Sequence, residues 1–116
     1  MMESYHFEES LVGSMIIKGG HVDCMEIASK LPVEAFENVH LRDMYRVIVS
    51  LLTKCEAIDV FSVQDSVHEQ SKDFVLDVVT RVISAANIKV WAKRVRQCWM
   101  LRKGQQDLYK AIELLK

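Results

Sequence analysis

The most distinctive chemistry in the sequence lies in a basic stretch at residues 84–104, which carries six cations and no carboxylate. These cations could bind nucleic-acid phosphates while Trp91 and Trp99 stack on bases. The tryptophans share a helical face with Ile88 and Val95, however, a pattern typical of side chains that pack in a core or an interface. Spacing alone therefore favours core packing first, a protein interface second and nucleic-acid stacking third. The cations are Lys89, Lys93, Arg94, Arg96, Arg102 and Lys103.

Potential metal ligands and nucleophiles are scattered along the chain. His21 and Cys24 could share a metal, but no second pair at ligand spacing completes a site. The hydroxyl and thiol groups of Ser10, Ser14 and Cys24 have no histidine and carboxylate at a signature spacing. We therefore expect no catalytic residue, no metal and no cofactor in this chain.

Paired carboxylates and glycines do not indicate an active site either. Glu8 and Glu9 are adjacent, and Asp73 and Asp77 are one helical turn apart. On amphipathic helices such pairs most often form part of a solvated face, which is the interpretation favoured here. The four glycines fit neither of the common phosphate-binding patterns. Nucleotide hydrolysis by this chain alone is not expected.

Length and composition describe one ordinary globular domain. The chain has 116 residues, half of them apolar, and its single proline and four glycines are too few for the turns of an all-β fold. No apolar run is long enough to cross a bilayer, and the acidic amino terminus does not resemble a secretory signal. The three dispersed cysteines indicate a reducing compartment. A cytoplasmic protein without a membrane partner is expected.

The distribution of charge divides the chain in two. Residues 1–80 carry 14 acidic and 6 basic side chains, whereas residues 81–116 carry 2 acidic and 9 basic ones, giving formal charges of −8 and +7. Such a division can mean an acidic body with a basic arm for nucleic acid. It can also mean two complementary surfaces that meet in an assembly.

Apolar residues recur at helical spacing along nearly the whole chain, which predicts an all-α fold. The strongest stripe lies within residues 41–52, and Gly19-Gly20 and Pro32 are placed to end the two helices before it. Asp59 is expected to cap a short helix after that stripe. The segment 74–83 is rich in β-branched residues, but its polar breaks are three and four residues apart, so a helix is predicted there as well.

The basic stretch is predicted to form a helix capped at its start by Ser84 or Asn87. Gly104 is expected to kink or end this helix, after which another amphipathic helix begins. That segment reaches the last residue without a capping residue, which predicts that the natural protein continues beyond it. Its apolar residues, the candidate interface, are Leu108, Ile112 and Leu115.

The order of these features resembles the N-terminal domain of the DnaB-family replicative DNA helicases of bacteria and their phages. That family opens a helix with the motif SAANI, followed by an aromatic residue and alanine, as Trp91-Ala92 does here. An upstream Leu-x-x-Glu-x-Phe element corresponds to residues 31–36. Two departures are Ile83 in place of the usual proline and a shortened connection at residues 67–72. The motif residues are Ser84, Ala85, Ala86, Asn87 and Ile88.

The resemblance implies a small orthogonal bundle of about six helices at residues 1–104 and the start of a C-terminal helical hairpin at residues 105–116. It implies a non-catalytic role in a bacterial or phage-infected cell. The domain would assemble with itself as a dimer or a hexameric ring with a collar, and would dock a primase or helicase loader. ATP and Mg²⁺ would belong to a motor domain outside this chain.

Two alternatives accompany this hypothesis. A related fold occurs as the helicase-binding domain of primases, and a phage helicase loader is a further possibility of the same kind. A stand-alone nucleic-acid-binding domain that uses the basic helix is the alternative from another class. The alignment of both tryptophans with the apolar face argues against it, so the six cations are interpreted as partner contacts first and DNA contacts second.

Overall fold

The computed structural model describes residues 2–82 and 85–115 of the chain. These two segments contain six α-helices, two short 3₁₀ helices and no strand, which confirms the predicted all-α class. The α-helices are α1 (Met2–Lys18), α2 (Val22–Lys30), α3 (Val39–Thr53), α4 (Val60–Ser66), α5 (Lys72–Arg81) and α6 (Ile88–Leu114). The 3₁₀ helices are η1 (Val33–Ala35) and η2 (Glu69–Ser71). Among the described residues, no helix combines the length and the apolar character needed to cross a membrane.

Several helix ends follow the signals in the sequence. Gly19, at a φ of 62°, ends α1 in the left-handed conformation that glycine adopts without steric cost. The helix α2 ends at Lys30, two residues before Pro32. The Oδ1 atom of Asp59 accepts a hydrogen bond of 2.8 Å from the Ser62 N–H, which confirms Asp59 as the cap of α4.

The core lies between α1, α3 and the helices that pack on them. Leu11 and Met15 of α1 and Ile48 of α3 are fully buried. The rings of Phe36 and Tyr45 stack with centroids 4.4 Å apart, and the Tyr45 hydroxyl donates a hydrogen bond of 2.7 Å to the Leu31 carbonyl. Helix α1 packs against α6, α5 and α3, so three other helices of the bundle share it as a neighbour.

Three predictions about helix ends differ from the structure or fall partly outside the described residues. The helix predicted over 74–83 ends at Arg81, because Val82 is extended, and Ile83 lies outside the described residues. Asn87 occupies the N-cap position of α6, but its side chain makes no capping hydrogen bond. Ser84, the other candidate cap, also lies outside the described residues.

The prediction that Gly104 ends a helix is wrong, and a kink there stays a prediction. Helix α6 runs unbroken for 27 residues, and Gly104 lies in its interior. A glycine inside a helix costs only about 1 kcal/mol relative to alanine, which a long helix can absorb. The predicted boundary between residues 104 and 105 therefore falls within one helix.

Helix α6 is much longer than the part that packs on the bundle. At 27 residues it is about 40 Å long, and the domain measures 51 × 29 × 27 Å. From residue 103 to residue 115 every side chain is exposed. We call residues 103–114 the distal segment of α6.

Candidate protein interaction site

The first half of α6 is attached to the body of the domain by its apolar face. Ile88 and Val95 are buried, while Trp91 and Trp99 are half-buried against the same core. These four residues recur at helical spacing, so one face of α6 packs on α1 while the opposite face is left to solvent.

Both tryptophans contact other side chains of the domain. Core packing alone would predict full burial, but each is only half-buried. The Trp91 ring stacks on Phe7 at 6.2 Å between centroids and meets the His6 ring edge-on at 5.7 Å. The Lys103 Nζ atom lies 5.6 Å from the centroid of the Trp99 ring, which is a cation–π contact. Intramolecular partners therefore occupy both rings, and this arrangement disfavours base stacking.

Arg102 holds α6 to two other elements. Its Nη2 atom donates a hydrogen bond of 2.8 Å to the Ala35 carbonyl, and its Nη1 atom lies 3.5 Å from the Ser4 hydroxyl. Its Nε atom lies 3.7 Å from a carboxylate oxygen of Glu37. Arg102, predicted as a partner or DNA contact, thus has internal partners for its guanidinium group.

Glu8 completes this network from the other side. Its carboxylate accepts hydrogen bonds from the Ser4 hydroxyl at 2.9 Å and from the backbone N–H groups of Glu37 and Asn38 at 3.1 and 3.0 Å. The side chain is only 1% exposed. Glu8 therefore fixes the connection between η1 and α3 against α1, and Ser4 links it to Arg102.

The prediction of a solvated carboxylate face is wrong for Glu8 and for Glu9. Glu9 is 9% exposed, and its carboxylate lies 3.0 Å from the Arg81 guanidinium. Position 8 precedes Leu11 by three residues and Met15 by seven, so helical spacing alone already places Glu8 on the core face. Asp73 and Asp77 are exposed, as predicted.

Most of the remaining cations of the basic stretch line one face of α6. The Lys89 ammonium lies 3.6 Å from the Asp23 carboxylate, and Arg94 donates to the Gln97 side chain at 3.3 Å. Lys93 and Arg96 line a groove between α2 and α6, together with Lys89. Lys89, Lys93 and Arg96 therefore share one face of α6, while Arg94 lies elsewhere on the helix.

This α2–α6 groove has an apolar floor and a charged rim, with a volume of about 260 Å³. Ile27, Leu31 and Ala92 form its floor. The rim is predominantly basic. Its charged residues are Glu26, Lys30, Lys89, Lys93 and Arg96.

The potential metal ligands noted in the sequence, His21 and Cys24, have other partners in the structure. Across residues 2–82 and 85–115, no group of three or more histidine, cysteine or acidic residues is placed to hold a metal ion. The His21 Nδ1 atom accepts a hydrogen bond from the Asp23 N–H, and the Cys24 thiol donates to the Met15 carbonyl at 3.9 Å. Burial raises the pKa of the Cys24 thiol to about 11, so this residue stays protonated and is a poor nucleophile.

The sequence matches the family of DnaB-like helicase N-terminal domains over residues 1–97. This chain belongs to that family. A similar fold is found in the crystal structure of the N-terminal domain of DnaB helicase from Mycobacterium tuberculosis, with a TM-score of 0.81 at 18% sequence identity. The similarity covers 92% of this chain and 80% of that chain. No curated protein matches the sequence.

The SAANI motif of this DnaB-like domain forms the entry to α6. Ala85, Ala86 and Asn87 lie in the turn before the helix, and Ile88, the first helical residue, is 1% exposed. Burial of the Ile88 side chain therefore fixes the start of α6 against the core. Ser84, the first residue of the motif, lies outside the described residues.

The C-terminal part of α6 and its capping residue present an apolar stripe beyond the end of the family match at residue 97. Leu108 is 61% exposed, Ile112 is 41% exposed and Leu115 is 88% exposed. Leu101 precedes Leu108 by seven residues, so it extends the stripe toward the body. At 3.6 residues per turn, the stripe lies about 140–180° around the helix from Trp99, on the side that faces away from the bundle. We call these four residues the α6 stripe.

Proposed function

We propose that this domain acts without catalysis in DNA replication, as an assembly and docking module of a replicative helicase. Membership of the DnaB-like N-terminal family supports the replication setting. The observation that carries the assembly role is the α6 stripe, an apolar face on a helix that projects beyond its own bundle. The proposed setting is the cytoplasm of a bacterial or phage-infected cell.

The proposed assembly step is pairing of two copies through their α6 stripes. Leucines at intervals of seven residues are typical of helices that pair along their length. A two-fold contact uses the same patch on both copies, so one exposed stripe is sufficient for a dimer. Such dimers are the proposed units of a hexameric collar in the assembled helicase.

Binding of ATP and Mg²⁺ is assigned in this proposal to a separate motor domain. Gly13 lies inside α1, Gly19 and Gly20 follow that helix, and Gly104 lies inside α6. Gly19 and Gly20 also precede α2, but the residues around them match neither of the common phosphate-binding patterns. The domain's own work is proposed to be protein binding, with a primase or helicase loader as the second partner.

Sedimentation velocity at increasing protein concentration tests the assembly role. The wild-type domain is expected to shift toward dimers, whereas Ile112→Glu and Leu115→Glu place a charge in the contact and keep the domain monomeric. Gln106→Glu adds the same charge on another face of the same segment and is the matched control, expected to behave like wild type. A monomeric wild type at the highest concentration, or dimers that tolerate both stripe substitutions, would refute the proposal.

A further inference from the structure

The α2–α6 groove contains cations without an internal partner. Across the two described segments, no carboxylate pairs with Lys93 or Arg96. The other two rim cations are paired: Lys30 lies 3.4 Å from Glu26, and Lys89 lies 3.6 Å from Asp23. The unpaired ammonium and guanidinium groups therefore stand together on α6, at the edge of the groove.

The apolar surface beside these cations is only partly covered by the chain. In the groove floor Ile27 and Leu31 are 7% and 5% exposed and Ala92 is half-buried. A second shallow depression, on the other side of Lys93 and Arg96, is lined by the exposed side chains of Met100 and Leu101. The 260 Å³ of the groove is smaller than a typical small-molecule pocket of about 300–1,000 Å³. It is suited to one or two protruding apolar side chains.

Nucleic acid is a poor match for this surface. Phosphates would pair with the cations but would leave the apolar floor in contact with water. Binding of single strands also relies on aromatic side chains on which bases stack, and no aromatic residue lines this groove. Trp91 and Trp99 contact other groups, as described above.

We propose that the α2–α6 groove binds an acidic amphipathic segment of a partner protein. An apolar side chain of that segment fills the floor between α2 and α6, and its flanking aspartate or glutamate residues pair with Lys93 and Arg96. Apolar anchors supply the affinity of such helix-in-groove contacts, and charge complementarity supplies their specificity and rate. The inference rests on the proposed function, in which the domain docks a second replication protein, but none of the α6 stripe residues lines the groove itself, and only the neighbouring depression shares Leu101 with the stripe.

The test uses the 116-residue chain and a defined probe. The probe is a short fluorescent helical peptide with leucines on one face and glutamates beside them, and a scrambled peptide of the same composition is its control. Binding is followed by fluorescence anisotropy, and the site is mapped by amide chemical-shift changes. The expected result is binding of the amphipathic peptide with shift changes confined to the α2–α6 groove.

A double substitution with a matched control tests the role of the cations. Lys93→Glu with Arg96→Glu reverses both unpaired charges and is expected to weaken binding by about tenfold or more. Arg94→Glu makes the same kind of change on the same helix outside the groove and is expected to leave affinity within about twofold. All three side chains are exposed, so thermal unfolding is expected to be unchanged.

Four results would overturn this inference. Absence of peptide binding, or equal binding of the scrambled peptide, would show that the groove does not select an amphipathic acidic segment. Displacement of the peptide by a deoxythymidine oligonucleotide that binds more tightly would make the surface a nucleic-acid site. Loss of self-association in the Lys93→Glu, Arg96→Glu variant would make a second copy the occupant. The peptide-binding results do not involve Ile112→Glu, the substitution that tests the assembly proposal. Failure of the groove inference can therefore be distinguished from failure of the assembly proposal.

Discussion

Replacement of Glu8 by alanine is expected to destabilise the domain far more than replacement of an exposed glutamate. The Glu8 carboxylate is the acceptor for the Ser4 hydroxyl and for the N–H groups of Glu37 and Asn38. In Glu8→Ala these donors lose their acceptor, and a cavity replaces a side chain that is 1% exposed. The connection between η1 and α3 is thereby detached from α1.

The magnitude follows from the number and environment of these donors. A buried donor left without a partner costs about 1–3 kcal/mol, and hydrogen bonds to a charged acceptor lie at the upper end of the usual range. Because the Glu37 and Asn38 N–H groups are only partly buried, water recovers some of this loss. The expected decrease in the free energy of unfolding is about 2–4 kcal/mol. Glu8→Gln keeps one acceptor oxygen, so a loss of about 1–2 kcal/mol is expected.

Urea denaturation followed by circular dichroism measures these differences as shifts of the midpoint at constant slope. Glu34→Ala is the control, because Glu34 is exposed on η1 and its loss is expected to change stability by less than about 0.5 kcal/mol. If Glu8→Ala lost no more stability than Glu34→Ala, the buried network around Glu8 would not be what holds this connection.

Three further predictions concern other elements. Cys55 has a φ of 56° in the left-handed position after α3, so Cys55→Gly is expected to raise stability by about 0.5–1 kcal/mol, whereas an unchanged thermal midpoint would contradict strain there. Trp91 is half-buried, so Trp91→Ala is expected to cost about 1.5–3 kcal/mol rather than the larger loss of a fully buried tryptophan; a wild-type urea midpoint would show that its ring contacts are not stabilising. Burial alone would raise the pKa of Asp43, but its hydrogen bonds with Arg46 and the His68 N–H outweigh burial and hold that pKa below its usual range. The resulting stabilisation is complete above pH about 4 and is lost as pH falls through the lowered pKa. The free energy of unfolding of Asp43→Asn should therefore depend less on pH in this range, and an unchanged acid unfolding curve would refute this role of Asp43.

The sequence was sufficient for features that depend on neighbouring residues. Apolar spacing identified α3 and the packed face of α6, because a helix repeats its contacts every three to four residues. The Asp59 cap could also be predicted from the sequence, because an N-cap side chain accepts a hydrogen bond from an N–H group only a few residues later in the chain. The resemblance to a family added the order of the helices.

Features that depend on distant residues could not be read in the same way. Arg102 contacts Ala35, which is 67 residues earlier, and Glu8 accepts from Asn38, which is 30 residues later. Periodicity shows which face of a helix is buried, but it does not show which polar group on another helix will meet it. The same limit applies to the α2–α6 groove, because its floor combines residues from two helices.

The most direct test of the central claim, that two copies pair through the α6 stripe, is an intermolecular paramagnetic relaxation measurement. A nitroxide attached at Lys110→Cys, in a variant with Cys55 and Cys98 replaced by serine, is mixed with isotope-labelled chains that carry no nitroxide. Cys24 is buried and can be kept. Pairing through the stripe predicts broadening of amide signals at residues 101–115 of the isotope-labelled copy. Undiminished signals there at high concentration, or broadening centred on another surface, would contradict the proposed assembly.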